Sequence, residues 1–181
     1  AYDQGKLLEE HLNKTLGSAR FSIRVQFVPL SRDELLPALL AGKGDVVMGN
    51  LTITRERKAS VDFADPWIGN VEEIVVARPG GPDITSVDDL SGKDVFVRKS
   101  SSYYESLVKL NEKLATEGKA PVTLTPAPEE LEDEDLLEMA NAGLVDLLVV
   151  DNHKAWFWQR VLPKLKLFPT VTLRTGGEIA W

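Results

Sequence analysis

Cysteine is absent from the 181 residues, which excludes disulfide frameworks, thiol catalysis and zinc–thiolate centres. Histidine occurs only at His11 and His153. Neither has a partner at ligand spacing, so no metal site is predicted. No apolar run approaches the roughly 20 residues that cross a bilayer; Leu144–Val150 is among the longest. The phosphate-binding G-x-x-x-x-G-K-[ST], the dinucleotide fingerprint G-x-G-x-x-G and the nucleophile elbow G-x-S-x-G are all missing. Acids are plentiful, yet no two stand out as a glycoside-cleaving pair. Nothing in the residues calls for a cofactor or assigns a catalytic group.

What remains is ordinary globular material, 43% hydrophobic and 27% charged, too apolar for a disordered chain. The net charge of -7 is local. Glu129–Glu138 (EELEDEDLLE) holds seven acids and no base, and removing them from the total of 28 leaves 21 against 21 Lys and Arg. No clustered basic excess exists, so nucleic acid is not an expected partner. Leu131, Leu136, Leu137 and Met139 interrupt the acidic run and make it the wet face of an amphipathic helix, or else an acidic docking patch. Asn13-Lys-Thr15 and Asn50-Leu-Thr52 match the glycosylation pattern, which short sequences often meet by chance.

Helical and strand periods alternate along the chain. Leu8, Leu12 and Leu16 with Gly17 behind them predict a helix and its stop. Phe21, Ile23, Val25 and Phe27 alternate with polar residues and predict a strand. Ser31-Arg-Asp-Glu34 is a capping box opening a helix to about Leu40, and Asp45–Met48 predicts a short strand. A second block follows: strands over Glu72–Arg78, Asp94–Arg98, Val122–Leu124 and Asp146–Val150, with helices after Ser102, over Glu129–Asn141 and over Asn152–Leu162. The tail from Val171 is expected to be extended and broken at Gly176-Gly177. Trp156, Phe157 and Trp158 are assigned to packing. This alternation predicts α/β construction with mainly parallel sheets, in two lobes joined near Ile74–Gly81.

Three places carry binding chemistry. Asp45–Trp67 (DVVMGNLTITRERKASVDFADPW) puts a polar loop at the end of a strand, a common ligand position in open α/β sheets. There Thr52 offers a hydroxyl and Arg57 a planar fork suited to a carboxylate. The alternative is that Arg57 pairs with Glu56 or Asp62 and Thr54 caps the next helix. Ser100-Ser-Ser102 follows a strand and starts a helix, where free N–H groups hold anions or a serine simply caps. Asp151 follows the apolar strand Leu147–Val150, where a carboxylate either receives an ammonium group or caps the helix at Asn152.

Together these strings resemble bacterial extracellular solute-binding proteins of family 3. Gly44–Arg57 (GDVVMGNLTITRER) with Val61-Asp-Phe-Ala-Asp-Pro-Trp67 is similar to the family signature. Ser86–Lys93 is similar to the opening of its second lobe, Val97–Tyr103 to its ligand loop and Gly143–Asp151 to its apolar strand. The Ser-Ser-Tyr loop, Asp151-Asn152, the pattern Gln159–Leu165 and the terminal Ala-Trp are similar to the solute-binding regulatory domains of the membrane-bound lytic transglycosylase F group.

The resemblance implies a type II periplasmic-binding-protein fold with lobe 1 at residues 1–75 plus 174–181 and lobe 2 at 76–173. Lobe 1 is expected to lack its opening strand and closing helices. It implies that Arg57, with Asn50 and Thr52 beside it, holds an α-carboxylate, that Ser101 and Ser102 bind the same group, and that Asp151 takes the α-ammonium. Ser100 stands where the family has glycine. The implied function is non-catalytic, periplasmic recognition of an amino acid or peptide-like zwitterion. The implied partner is a covalently linked transglycosylase domain or a membrane permease. A cyclohexadienyl dehydratase-like enzyme and an interaction module built on the acidic helix are the alternatives.

Overall fold

The computed structural model describes residues 2–17 and 22–181. The chain divides into two compact units, Ala1–Gly49 and Asn50–Trp181.

The first unit holds α1 (Tyr2–Leu16) and α2 (Arg32–Leu40). The capping box at Ser31 forms as predicted: Ser31 N–H donates to Glu34 Oε2 at 3.2 Å. Pro37 is accommodated inside α2, and Gly42, at φ 69°, turns the chain beyond its end. The strand expected around Ile23–Phe27 is not one; residues 22–30 join no sheet, and Phe21 lies outside the described residues. The backbone groups that a neighbouring strand would take are satisfied by α1 instead. Asn13 accepts from Ile23 N–H (2.7 Å) and donates to Ile23 O (2.8 Å), and Glu9 accepts from Val25 N–H at 2.6 Å. Asp45–Met48 likewise forms no strand, and Val46 is exposed.

The second unit runs β1 (Leu51–Thr52), α3 (Arg55–Lys58), β2 (Ile68–Ala77), a short 3-10 helix (Val87–Leu90), β3 (Asp94–Val97), α4 (Ser102–Thr116), β4 (Thr123–Pro126), α5 (Asp133–Asn141), β5 (Leu147–Asp151), α6 (Asn152–Gln159) and β6 (Lys166–Ala180). Its main sheet has the order β1-β6-β2-β5, and every pair in it is antiparallel. This corrects the expectation of mainly parallel sheets. Alternating strands and helices give parallel pairs only where consecutive strands become neighbours in one sheet. Here that holds for β3 and β4 alone, joined through α4 and paired in parallel.

The core lies between β2, β5, α4 and α5. Ile74, Val75, Val76 and Ala77 on β2 face Leu147–Val150 on β5, with Leu107 and Leu114 from α4 and Leu137 from α5 closing around them. Each fully buried aliphatic side chain of this size contributes about 1.5–3 kcal/mol.

Three boundaries differ from the sequence expectation. β6 is one 15-residue strand running through Gly176 and Gly177; the glycines serve its irregular pairing with β2. Register shifts fall between Val71, Glu73, Ile74 and Val75, and bulges of this kind re-aim side chains. The acidic helix begins at Asp133, leaving Glu129–Glu132 in the preceding loop. α6 stops at Gln159, where Trp158 packs on the core while Trp156 and Phe157 are exposed.

Candidate ligand-binding site

β1 and α3 bring up the first group of predicted residues. Thr52 ends β1 and is buried. Asn50 is exposed, sits at φ 48° and accepts a hydrogen bond from Trp181 Nε1 at 3.2 Å. Thr54 caps α3 by accepting from Arg57 N–H at 3.2 Å, so that part of the alternative reading is correct. The Arg57 guanidinium reaches the backbone of β1, the loop before α4 and an acid on α4. Its Nη1 donates to Thr52 O (2.9 Å), its Nη2 to Ser100 O (2.8 Å), and its Nε lies 3.4 Å from Glu105 Oε1.

The loop between β3 and α4 supplies the second group. Ser101 caps α4, accepting from Tyr104 N–H at 3.2 Å and donating to Arg98 O at 2.7 Å. Ser102 is buried and its Oγ donates to Thr52 Oγ1 at 3.2 Å. Ser100 N–H, one of the donors expected to hold an anion, donates to Glu129 Oε1 at 3.1 Å. An internal carboxylate thus sits on this loop.

Asp151 ends β5 and is 2% exposed. It occupies the cap position of α6 but makes no side-chain cap bond, so the capping reading fails. Its Oδ2 lies 3.6 Å from Lys154 Nζ, and its backbone N–H donates to Tyr103 Oη at 3.2 Å. Burial raises its pKa above the ordinary aspartate value, opposed by Lys154 and reinforced by Asp133. Burial likewise lowers His153.

Arg57, Thr52, Ser100 and Ser102 are therefore drawn together by hydrogen bonds, and Asp151 joins them through Tyr103, the neighbour of Ser102. Asn50 is tied to Trp181, and Ser101 faces its own loop. The hydrogen bonds of these two do not link them to the others.

Sequence reasoning missed the charged residues behind this cluster. Asp133 is buried and receives Tyr103 Oη–H (3.1 Å), Lys154 Nζ (2.5 Å) and the Arg98 guanidinium. Glu73 on β2 is 1% exposed and lies opposite Asp151 on β5 and Arg174 on β6. Arg174 Nε stands 3.7 Å from Glu73 Oε1, and its Nη2 stands 3.7 Å from Glu105 Oε2. A line of alternating charge thus runs Glu73, Arg174, Glu105, Arg57. The available signal was Glu73 itself, which with Glu72 directly precedes the apolar run Ile74–Ala77 on the same strand. A cavity of about 370 Å³ adjoins the line at Ser106 and Arg174, and none of the six predicted residues lines it. Among the described residues no group of His, Asp and Glu is arranged to hold a metal, and no helix is long and apolar enough to cross a membrane.

The fold and this polar cluster define a solute-binding domain of mixed α/β construction. The family described as bacterial extracellular solute-binding proteins, family 3, matches residues 7–152, and the chain belongs to it. The membrane-bound lytic murein transglycosylase F of Maricaulis maris is 32% identical over 167 residues, covering 91% of this chain and 34% of that protein. A probable histidine-binding protein of Neisseria gonorrhoeae is 39% identical over 69 residues, 38% of this chain and 25% of that protein. An ancestral arginine-binding protein bound to arginine superposes with a TM-score of 0.69 at 28% identity, covering 97% of this chain and 72% of that one. The chain spans about a third of the length of the transglycosylase relatives it matches. Its close structural neighbours are amino-acid-binding proteins of the type II class.

Proposed function

We propose that the chain is a non-catalytic, periplasmic receptor domain for an amino acid or peptide-like zwitterion, and that it regulates a linked lytic transglycosylase. The observation that carries this reading is the presence of opposite charges at one hydrogen-bonded cluster: the half-buried Arg57 guanidinium on the backbone of Thr52 and Ser100, and the buried Asp151, whose backbone N–H donates to Tyr103 next to Ser102. A zwitterion matches such an arrangement, its carboxylate meeting the guanidinium fork and its ammonium the Asp151 carboxylate. In the proposed complex Arg57, Thr52, Ser101 and Ser102 hold the α-carboxylate, Asn50 flanks them, and Asp151 takes the α-ammonium. The proposed lobes, 1–75 with 174–181 and 76–173, divide these residues between them, and lobe closure brings them onto the solute.

Regulation is favoured over transport by the transglycosylase relatives, which align with most of the chain. The second reading, a transporter's amino-acid receptor, draws on the likeness to amino-acid-binding structures and would place a membrane permease as partner.

Calorimetric titration of the chain with amino acids, dipeptides and muropeptides tests the site. Saturable binding that Arg57→Ala and Asp151→Asn abolish supports the reading. Absence of binding, or binding that both variants leave intact, refutes it. Muropeptide binding that alters the activity of the full-length protein would select regulation over transport.

A further inference from the structure

β2 carries an acid where its pattern calls for an apolar residue. Glu73 is 1% exposed, and neither of its carboxylate oxygens has a hydrogen-bond partner among the described residues. Its register partner on β5 is Asp151, also buried, whose Oδ1 is likewise unpartnered. Residues directly opposite on antiparallel strands have Cβ atoms about 4.5–5.5 Å apart, and like charges there destabilise a sheet. The nearby cations do not resolve the conflict. Arg174 stands 3.7 Å from Glu73 and divides its guanidinium with Glu105, while Lys154 lies 2.5 Å from Asp133 and only 3.6 Å from Asp151. Ser102, whose hydroxyl bonds Thr52, adjoins Glu73 as well. The proposed carboxylate anchors and two acids with unused acceptor capacity are therefore contiguous.

We propose that Glu73 is a specificity residue of the solute site: with Asp151 it receives a second cationic group, so the preferred solutes are amino acids or short peptides with a basic side chain. This rests on the zwitterion reading above. A neutral zwitterion brings one ammonium, which Asp151 takes, and leaves Glu73 to an Arg174 that stands 3.7 Å away and is shared with Glu105. A diamino or guanidino solute satisfies both acids.

The groups facing Glu73 are Asp151 on β5, Arg174 on β6 and Ser102 and Ser106 on α4, with Tyr103, Glu105, Asp133, His153 and Lys154 beyond them. Burial raises Glu73 above the ordinary glutamate value in spite of Arg174 and the two hydroxyls, and an arriving cation favours its ionised form. Across the pH range in which Glu73 titrates, binding of a basic solute therefore releases protons and tightens as pH rises, and binding of its neutral isostere lacks the part due to Glu73.

The test is calorimetry of the 181-residue chain with two isosteric pairs, L-lysine against L-norleucine and L-arginine against L-citrulline. Each titration is run in two buffers of different ionisation enthalpy and repeated on Glu73→Gln. Each basic solute is expected to bind at least about tenfold tighter than its isostere and to release more protons. In Glu73→Gln both differences should collapse. Equal affinities within each pair, or a preference that survives Glu73→Gln, overturns the inference while leaving the zwitterion reading standing. Failure of the folded chain to bind any of the four overturns both. Should Glu73→Gln not fold, the proton release of the unaltered chain decides, and equal release within each pair counts against Glu73.

Discussion

Glu73 and Asp151 lie directly across from each other on β2 and β5, both buried, and neither carboxylate has its hydrogen-bonding capacity filled. Such a pair is an expense in a fold whose surrounding core is aliphatic. Its cost is offset by Arg174 on one side and Lys154 on the other, neither within hydrogen-bond distance of these two acids. In the proposed complex, stability and recognition meet at one point of the sheet.

The first expectation concerns pH. Glu73 and Asp151 are both raised by burial, so the folded state holds their protons more tightly than the unfolded chain does. Stability from this source is complete below the unfolded carboxylate range, near 4, and is lost as pH rises through the folded values. Glu73→Gln should therefore raise stability at pH 7–8 and flatten its decline above about pH 4.5, as urea denaturation at several pH values would measure. An unchanged pH profile would mean that Glu73 is ionised at no net cost.

Asp89 has the opposite sign. It accepts from Thr85 N–H and Ser86 N–H at 2.8 and 2.9 Å, which holds its pKa down to about 2. Its contribution is present above the ordinary aspartate value and disappears as pH falls through about 2. Asp89→Ala should thus narrow the stability difference between pH 5 and pH 2, followed by circular dichroism.

Asp133 is the strongest structural dependency. It is buried and holds Arg98, Lys154 and Tyr103 together. Asp133→Ala removes the buried partner of the Arg98 guanidinium and leaves it Glu132 at 3.5 Å, and removal of one partner from a buried pair costs about 3–5 kcal/mol. Denaturant unfolding should show a loss of that size or an unfolded chain, whereas a loss under 1 kcal/mol would indicate that Arg98 finds water.

Gly177 is needed for a packing reason. A Cβ there would stand 3.0 Å from Val71 O and 3.4 Å from Val71 Cβ, at the irregular pairing that sets Glu73 against Arg174. Gly177→Ala should cost about 1–3 kcal/mol and shift the near-ultraviolet dichroism of neighbouring aromatics. An equally stable variant would show that β6 yields there.

Much of this was legible in the residues. Ser31–Glu34 announced α2, the apolar strings around Val75 and Val149 announced the core strands, and Ser101 announced the start of α4. Pairing direction was not, because it depends on which strands become neighbours, and β2 lies between β5 and β6 from far along the chain. Nor was the fate of Ile23 and Val25, whose backbone groups are taken by side chains of α1 that no period reveals. Thr52, Arg57, Ser102 and Asp151 could be nominated from their loops. Their supports could not: Glu105, Arg174, Asp133 and Lys154 become neighbours only through the sheet register and helix packing.

The central claim is that Arg57 and Asp151 hold opposite ends of one zwitterion, and crossed titrations test it most directly. The solute that binds, its methyl ester and its N-acetyl derivative would each be titrated against the unaltered chain, Arg57→Ala and Asp151→Asn. Loss of one partner of a buried charge pair costs about 2–5 kcal/mol. The account predicts that the ester loses affinity on the unaltered chain and little more on Arg57→Ala, and that the acetylated solute behaves in the same way with Asp151→Asn. Losses that simply add, with each variant weakening all three solutes equally, would contradict it.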